Sequence, residues 1–535
     1  MMAIIGLLVF CCLLQLSRGA NFFPDEYPEY CNAKPYNNSI PALSSNDRSL
    51  VSGIKQVIIM IRHGSRTPFA PHTCWKDYDV SWNDCNVTEL MLASPASYNY
   101  SSQEVPADWL FRKVYDAFPS ALGGNCFTGQ LMRFGYDQEV ANGKILRNAY
   151  LAQTDTPLNI FPSTTFSSIP RSDIHLRSDD EQRTLMSGQI MMTNFFDVDS
   201  SAIVKWHTGD DGIDQIAPNA DACPAVQAAS DTAYASPQFA ATNDSNPLTA
   251  QLNDVYGEGY WTWYANIDCL MTTVCTNRSI PANVDTGTPM TQSLFDQAIQ
   301  YNEYIYSYQA LYNNSWYSKL GMGQTVYNMR TTLEAAVNND ANYKKFALWS
   351  AHDTSIMPML AALIGDNWDG KWAKYAALVS FELYTPATGS TQLFRAIYNG
   401  KVITSSFAGC TDTSELCDVA NLISSMAWAE FDMPCDVEAD TSGGGGTSSS
   451  GSKNKDLTTP DWAGLCVLSA LLGAFIGGAV VVRYNHYNSK KPHDSGTGYG
   501  NGIGNPLVDD TSVHNLGSNP KVEHHARVSD MYTSA

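Results

Sequence analysis

The sequence contains few basic residues. Of its 535 residues only 32 are Lys or Arg, whereas 53 are Asp or Glu, and the formal net charge is −21. The acidic excess lies between residues 21 and 461, because the stretch after residue 482 carries equal numbers of acidic and basic side chains. An acidic protein repels the phosphate backbone of DNA and RNA, so the composition argues against nucleic acid as a partner.

The cysteines lack the spacing of a metal site. There is no CxxC pair and no Cys/His cluster with zinc spacing, so we predict no metal, and the sequence indicates no cofactor. Of 13 cysteines, ten remain once Cys11, Cys12 and Cys466, which lie in two apolar runs, are set aside. An even number of cysteines predicts disulfides if this part of the chain is exported.

Charge is also absent from two apolar runs. The first, Ile4 to Leu16, is followed by the small-residue stretch Ser17 to Ala20, which is typical of a secretory signal peptide spanning residues 1–20. The second, Trp462 to Val482, has 21 residues. At about 1.5 Å per residue it is long enough to cross a bilayer core of about 30 Å, so we predict a transmembrane helix over 462–482. A buried core helix is the alternative.

The residues after the second run indicate its orientation. Arg483, Lys490 and Lys491 follow it, as expected of a cytoplasmic flank. The chain is therefore predicted to be a type I membrane protein with a cytoplasmic tail, residues 483–535. Gly473 and Gly477 form a small-xxx-small pair on the predicted helix, which allows a homodimer.

Glycosylation sequons support this topology, because all six lie before the predicted helix and none lies in the tail. They begin at Asn37, Asn86, Asn99, Asn243, Asn277 and Asn313. The stretch TSGGGGTSSSGS, Thr441 to Ser452, cannot bury apolar surface and behaves as a flexible tether within a linker over 441–461. Residues 21–440 then form the exported domain.

Within this domain the pattern is that of an α/β fold, because short β-branched runs alternate with helical periodicity. The clearest strands are Gln56 to Ile61, Asp173 to Arg177 and Phe346 to Ser350, and the clearest helices are Gln130 to Tyr150 and Thr184 to Phe196. Residues from about 210 to 322 show no strand series. We predict that they form a largely helical cap insertion that covers the sheet.

Charged residues follow all three predicted strands. The strands end in Arg62-His63-Gly64-Ser65-Arg66, in Arg177-Ser178-Asp179 and in His352-Asp353. Ligands bind beyond the carboxyl ends of strands in open α/β sheets, and three arginines with two histidines suit a phosphate dianion. Each segment alone also fits a solvated turn or a surface salt bridge. Such an explanation, however, would have to hold for all three segments at once.

These residues carry a family resemblance. RHGSRTP, Arg62 to Pro68, fits the RHGxRxP signature of the histidine acid phosphatases, and the segments that follow are similar to the family's later motifs in the same order, to about Cys435. These segments are GQLMRFGYDQEVANGKILRNAY, HLRSDDEQRTLMSG, SAHDTSIMPMLAAL, SFELY and YNG. Two positions differ from the family pattern. Asp179 replaces the usual Thr, and Ala373-Lys374 stands where prolines are usual.

The resemblance implies a central mixed, mostly parallel sheet flanked by helices, as in phosphoglycerate mutase-like proteins. It implies that His63 attacks phosphorus, that Arg62, Arg66, Arg177 and His352 hold the phosphoryl oxygens, and that a protonated Asp353 supplies the leaving-group proton at acidic pH. It also implies the disulfides Cys410 with Cys417 and Cys223 with Cys435. The pairing of the other six cysteines stays open.

The predicted function is therefore that of a membrane-anchored acid phosphatase that hydrolyses phosphate monoesters. Its catalytic domain faces the lumen of an endosome or lysosome, or the cell exterior. One alternative is a phytase or another inositol-polyphosphate phosphatase of the same superfamily. A second is a surface receptor on a catalytically dead phosphatase scaffold, because a fold alone does not guarantee activity.

Overall fold

The computed structural model describes residues 28–436, except 35, 37, 70–73, 79, 89, 94–109, 114–121, 198–203, 211, 244–245, 258–265 and 284. The predicted signal peptide, linker, apolar run 462–482, tail and the sequons at Asn37 and Asn99 lie outside the described residues. Among the residues that are described, no helix has the length and apolar character needed to cross a membrane.

The described residues form eleven strands and ten α-helices. The strands are β1 (Val51–Arg62), β2 (Ser81–Trp82), β3 (Leu90–Ala93), β4 (Leu110–Lys113), β5 (Gly123–Gly124), β6 (Ile174–Ser178), β7 (Phe346–Ala351), β8 (Leu378–Pro386), β9 (Leu393–Tyr398), β10 (Lys401–Val402) and β11 (Cys417–Asp418). The helices are α1 (Ser45–Ser49), α2 (Arg133–Tyr150), α3 (Gln182–Phe195), α4 (Pro224–Tyr234), α5 (Pro237–Asn243), α6 (Leu248–Tyr256), α7 (Met271–Cys275), α8 (Gln292–Val337), α9 (Asp353–Ile364) and α10 (Val419–Ser425).

The main sheet has the strand order β10-β9-β8-β1-β7-β6, with β11 beside β9. Strand β7 pairs in parallel with β1, from Val57↔Phe346 to Arg62↔Ala351. Strand β6 pairs in parallel with the other edge of β7. The carboxyl ends of β1, β7 and β6 therefore meet at one edge of the sheet, where His63, His352 and Asp179 follow them.

The sheet is buried on both faces, which explains the continuous apolar run of β1. Ile58 and Met60 face a cluster built from α9 and the C-terminal half of α8. Val57, Ile59 and Ile61 face the opposite cluster, to which α2 and α3 contribute. All five of these side chains are at most 1% exposed.

The prediction of a mostly parallel sheet is wrong. Only β1, β7 and β6 are parallel, whereas β8 pairs antiparallel with β1 and β9 pairs antiparallel with β8, β10 and β11. Short loops join β8 to β9 and β9 to β10, and such loops can connect only antiparallel neighbours, because parallel neighbours need a crossover of a dozen or more residues. The antiparallel pairing of β8 with β1 joins distant segments and has no such local cause. The YNG stretch is not a strand throughout. Asn399 and Gly400 have φ of 50° and 85° and form the tight turn between β9 and β10.

The region predicted as a helical cap contains α4 to α7 and the first part of α8. Helix α8 continues beyond residue 322 to Val337 and is interrupted at residues 312–315. Part of its first half packs in a cluster with Tyr30, Trp75 and Trp82, whereas Tyr306 and Ala310 pack with residues of the sheet. Its second half packs on the sheet together with α9. The helical region thus stands beside the crevice at the strand ends.

All ten cysteines that the sequence places in the exported domain are paired. The disulfides join Cys31 to Cys275, Cys74 to Cys269, Cys85 to Cys126, Cys223 to Cys435 and Cys410 to Cys417. The last two pairings are those that the family resemblance implied. Three of the five bonds join segments that are 195 residues or more apart in the sequence.

Candidate active site

His63 follows β1 directly and is completely buried. Its backbone N–H donates to the carbonyl of Ala351 at the end of β7, and its own carbonyl accepts from the N–H of Ala376. Its Nδ1 lies 2.8 Å from the carbonyl oxygen of Gly64. Because a carbonyl oxygen only accepts, Nδ1 carries the ring proton, and Nε2 presents a lone pair. No hydrogen-bond partner for Nε2 exists in the described part of the chain.

The electrostatic surroundings keep the His63 ring neutral. Burial is the largest effect and lowers the pKa of His63 well below its usual value, and the positive charges of Arg62, Arg183 and Arg66 lower it further. A neutral ring with a free Nε2 lone pair is the form that a nucleophilic histidine requires.

The loop after β1 is held by close packing against α2. A Cβ on Gly64 would lie 2.5 Å from the carbonyl oxygen of Gly135, and a Cβ on Gly135 would lie 2.3 Å from that of Ser65. The N–H of Ser65 donates to Gln138 Oε1 at 2.8 Å, and that of Gly64 donates to Ser187 Oγ at 3.1 Å. Two glycines facing each other therefore let α2 approach the loop that carries the histidine.

Arg62 lies between two tyrosine rings, with its guanidinium carbon 4.9 Å from the centre of the Tyr30 ring and 4.3 Å from that of Tyr375. Its Nη2 lies 2.8 Å from Asp353 Oδ2 and donates to the Tyr30 hydroxyl, also at 2.8 Å. The Trp372 indole N–H donates to the same Asp353 oxygen at 2.6 Å. These contacts fix the orientations of the guanidinium and the carboxylate.

The surroundings of Asp353 favour its ionised form. Burial raises its pKa, but the charges of Arg62 and Arg66 and the Trp372 hydrogen bond outweigh burial and hold the pKa below its ordinary value. Arg62 thus favours the carboxylate in the site without substrate, whereas the family resemblance implies a protonated Asp353 during catalysis.

His352 lies beside His63, with ring centres 5.6 Å apart. Its Nε2 is hydrogen-bonded to Asp179, and its Nδ1 is buried without a partner in the described part of the chain. Burial alone raises the pKa of Asp179, but His352 and the Thr184 hydroxyl lower it to about 2. The residue that departs from the family pattern thus contacts a predicted phosphate ligand directly.

Arg177 lies near the end of β6 and is more exposed than the other predicted phosphate ligands. Its Nη2 donates to Asp214 Oδ1 at 2.5 Å, and its side chain is 17% exposed. Burial is the largest cause of the raised pKa of Asp214, and the negative charge of the nearby Asp179 raises it further. Arg177 therefore joins the crevice at its more exposed side.

The sequence interpretation missed Arg183, the second residue of α3. Its side chain is 4% exposed, packs with its guanidinium carbon 4.8 Å from the centre of the Phe69 ring and pairs with Glu181. Its Nη2 has no hydrogen-bond partner among the described residues. The RT pair of the HLRSDDEQRTLMSG segment could have revealed Arg183, but the sequence interpretation assigned this arginine no role.

The four arginines of the crevice and His352 are each paired with a carboxylate. The five pairs are Arg62 with Asp353, Arg66 with Asp268, Arg177 with Asp214, Arg183 with Glu181 and His352 with Asp179. A carboxylate therefore balances the charge of each of these arginines before a ligand enters. A phosphate that binds here must compete with these carboxylates for donors, except at donors such as Arg183 Nη2, which has no partner among the described residues.

A metal ion is a poor fit to the crevice. Asp179, Glu181 and His352 bring one ligand atom each within 4.8 Å of one another. However, Glu181 is paired with Arg183, and the carboxylate of Asp179 accepts from His352. The guanidinium of Arg183 repels a cation. The three carboxylate and imidazole groups are therefore better described as residues that support an anion-binding site.

The fold and the crevice together define an α/β protein whose buried, neutral histidine is surrounded by arginines. The chain belongs to the histidine phosphatase superfamily (branch 2), whose sequence profile matches residues 53–399. This match covers most of the chain and supports phosphatase activity.

Three curated proteins illustrate the relationship. Counting factor 60 of Dictyostelium discoideum is 28% identical over 395 residues, which are 72% of this chain and 87% of that protein. Lysophosphatidic acid phosphatase type 6 of Pongo abelii is 24% identical over 364 residues, covering 66% and 79%. Lysosomal acid phosphatase of Xenopus laevis is 24% identical over 328 residues, covering 57% and 71%.

Proposed function

We propose that this protein is a membrane-anchored acid phosphatase that hydrolyses phosphate monoesters through a phosphohistidine at His63. The observation that carries the proposal is the His63 ring, whose Nδ1 proton is held by Gly64 while the buried Nε2 has no hydrogen-bond partner among the described residues. Phosphoryl transfer requires mainly positioning and charge stabilisation, and the cations around Nε2 supply both.

In the first step the Nε2 lone pair forms an N–P bond while the P–O ester bond breaks. The electron pair of that bond leaves with the alcohol oxygen. Arg62, Arg66 and His352 hold the equatorial phosphoryl oxygens, with Arg177 on the exposed side, and we add Arg183 to this set because its Nη2 lacks a partner within the described residues.

Asp353 supplies a proton to the leaving oxygen in this proposal. An anionic phosphoryl group that draws Arg62 away from Asp353 raises the pKa of this carboxyl, because it removes a positive neighbour and adds a negative one. Protonation of Asp353 therefore accompanies substrate binding and is favoured at acidic pH. In the second step water attacks phosphorus, the N–P bond breaks, its electron pair returns to Nε2, and Asp353 accepts the proton of the water.

The lowered pKa of His63 fits activity in acid. A histidine with its ordinary pKa of about 6.5 becomes protonated below that pH and loses its lone pair. Because burial and the nearby arginines depress the pKa of His63, its ring stays neutral at lower pH. The nucleophile therefore remains available at the pH at which Asp353 acquires its proton.

The location is proposed from the exported features of the chain. Four of the predicted sequons, at Asn86, Asn243, Asn277 and Asn313, are exposed. Five disulfides fit an oxidising compartment. Together with the apolar run over 462–482, these features support a type I membrane protein of the endosomal and lysosomal system or cell surface. Its phosphatase domain lies on the lumenal or outer side.

The test of the mechanism is His63→Ala, compared with the wild type for hydrolysis of an aryl phosphate between pH 4 and 8. Turnover should fall at least about a thousandfold, because no other nucleophile reaches the same position. Wild-type protein quenched in alkali during turnover should carry phosphate on His63 by peptide mass mapping. An His63→Ala variant that is folded by circular dichroism and keeps more than about a tenth of the activity would refute the role.

The same assay distinguishes the rival functions. An inositol-polyphosphate phosphatase should prefer phytate to a simple aryl phosphate, whereas a charge-balanced crevice offers little excess positive potential to a polyanion. A surface receptor on a dead scaffold should hydrolyse neither substrate. Preference for the aryl phosphate supports the acid phosphatase proposal.

A further inference from the structure

Helix α8 is interrupted by an unusual bend. Asn313, Asn314 and Ser315 adopt φ values of 51°, 58° and 57°, all in the left-handed region, and Tyr312 has a ψ of 139°. Three consecutive residues other than glycine rarely take this conformation. The bend is held from inside, because the buried Ser315 hydroxyl donates to the carbonyl of Ala361 at 2.9 Å. The consequence is that Asn313 is turned out of the helix and is exposed.

The bend faces a groove of about 620 Å³ between α8 and α4. On the α4 side the wall is formed by Ala225, Ala228 and Ala229, whose small side chains leave the space open. On the α8 side it is formed by Tyr312, Asn313 and Trp316. Trp316 is 40% exposed, which makes it one of the few large apolar side chains on the described surface. Together with Tyr312 it gives this groove an aromatic wall.

The chain itself provides an occupant for this groove. Asn313-Asn314-Ser315 is a glycosylation sequon, so the acceptor amide lies in the wall of the groove, one residue after Tyr312 and three before Trp316. The apolar face of a pyranose ring packs well on an aromatic ring, because this contact covers apolar area that is otherwise exposed to water. A sugar attached to Asn313 is thus held within reach of both rings without any cost of association.

We propose that Asn313 carries an N-glycan whose first sugar packs in this groove against Tyr312 and Trp316 and stabilises the bend between the halves of α8. The groove also adjoins the Cys223–Cys435 disulfide, which joins the start of α4 to the end of the described chain. The glycan therefore covers the junction of three segments and acts as a structural element rather than a passive surface group.

A second sequon provides a matched control. Asn277 is also exposed and also has a left-handed φ, of 55°, but it does not line this groove. Asn→Asp at either position removes the acceptor amide and keeps a side chain that tolerates this backbone region. The two variants therefore share an exposed Asp at a left-handed φ and differ in whether that residue lines the groove.

The experiment uses the full chain, made in a eukaryotic host that attaches N-glycans and purified in detergent. Peptide mass mapping should show a glycan on Asn313. The Tm of Asn313→Asp should lie about 2–4 °C below that of Asn277→Asp. In a Trp316→Ala background, Asn313→Asp should cause no further loss. An unmodified Asn313, equal Tm values for the two Asp variants, or full additivity with Trp316→Ala would each overturn the proposal.

Enzymatic trimming tests the same contact without any substitution. An endoglycosidase that leaves the first sugar on each asparagine should keep the Tm of the wild type, whereas an amidase that removes the whole glycan should lower it to that of Asn313→Asp or below. An equal loss of Tm after both treatments would contradict packing by the first sugar.

Discussion

At the scale of single residues, Asp353 is notable because its two donors favour the ionised form. Arg62 and the Trp372 indole N–H both bind its Oδ2. A general acid must nevertheless hold a proton when the ester bond breaks. The proposed function resolves this conflict through the substrate, whose phosphoryl group competes for Arg62.

We expect Asp353→Asn to slow the hydrolysis of alkyl phosphates at least about a hundredfold more than that of a nitrophenyl phosphate. General acid catalysis contributes about 10²–10⁴ in rate, and a leaving group of low pKa scarcely needs the proton. Measuring kcat for both substrates checks this expectation. Similar losses for the two leaving groups would show that Asp353 holds Arg62 in place and does not transfer a proton.

At this scale the sequence predicted that several of these residues lie close together, because they stand immediately after strands. Arg62, His63 and His352-Asp353 follow apolar runs, and the parallel register of β1 and β7 brings them together. Asp353 was predicted as a site residue, but Asp214 and Asp268, which pair with Arg177 and Arg66, were not. Asp214 and Asp268 lie in segments without strand periodicity, so their approach to the crevice depends on long-range packing that no local pattern records.

At the scale of elements, the contact between α2 and the loop after β1 determines the position of His63. Gly135→Ala should lower the free energy of unfolding by about 1–3 kcal/mol, because the new Cβ would meet the Ser65 carbonyl. The gain in helix propensity, about 1 kcal/mol, acts in the opposite direction and is smaller than a backbone clash. Activity should fall as well, since a displaced loop moves His63.

Urea unfolding and kcat measurements check this prediction, with Gly212→Ala as the control. A Cβ on Gly212 would meet no atom within 4 Å, so this variant should be neutral in both measurements. Equal behaviour of the two variants would mean that α2 can move away without consequence for the site.

Element boundaries were predicted well where periodicity is strong, as for β7, which begins at Phe346 as expected. Strand direction was not. The alternation of apolar residues states which strands are buried but not which way they run, and the short loop between β8 and β9 reverses the chain. The sheet is therefore less parallel than the α/β pattern suggested.

At the scale of the whole molecule, residues 28–436 contain the sheet, the crevice and all five disulfides. A stop codon after Asp440 should therefore give a secreted, soluble protein with kcat within about twofold of the full chain, since the Gly/Ser-rich linker has no apolar surface to pack on the body. Fractionation of cells and medium, followed by an activity assay, tests this. Retention inside the cell, or secretion without activity, would show that residues beyond 440 belong to the folded core.

The central position of β1 has a consequence for how the protein is made. Strand β1, which directly precedes His63, pairs on one side with residues 346–351 and on the other with residues 378–386. At about 5–20 residues per second, synthesis of the intervening 290 or so residues takes roughly 15–60 s. During that interval an apolar strand waits without neighbours on either edge. The nascent chain should depend on chaperones in the compartment that receives it, and no phosphatase activity should arise until nearly the whole domain has been translated.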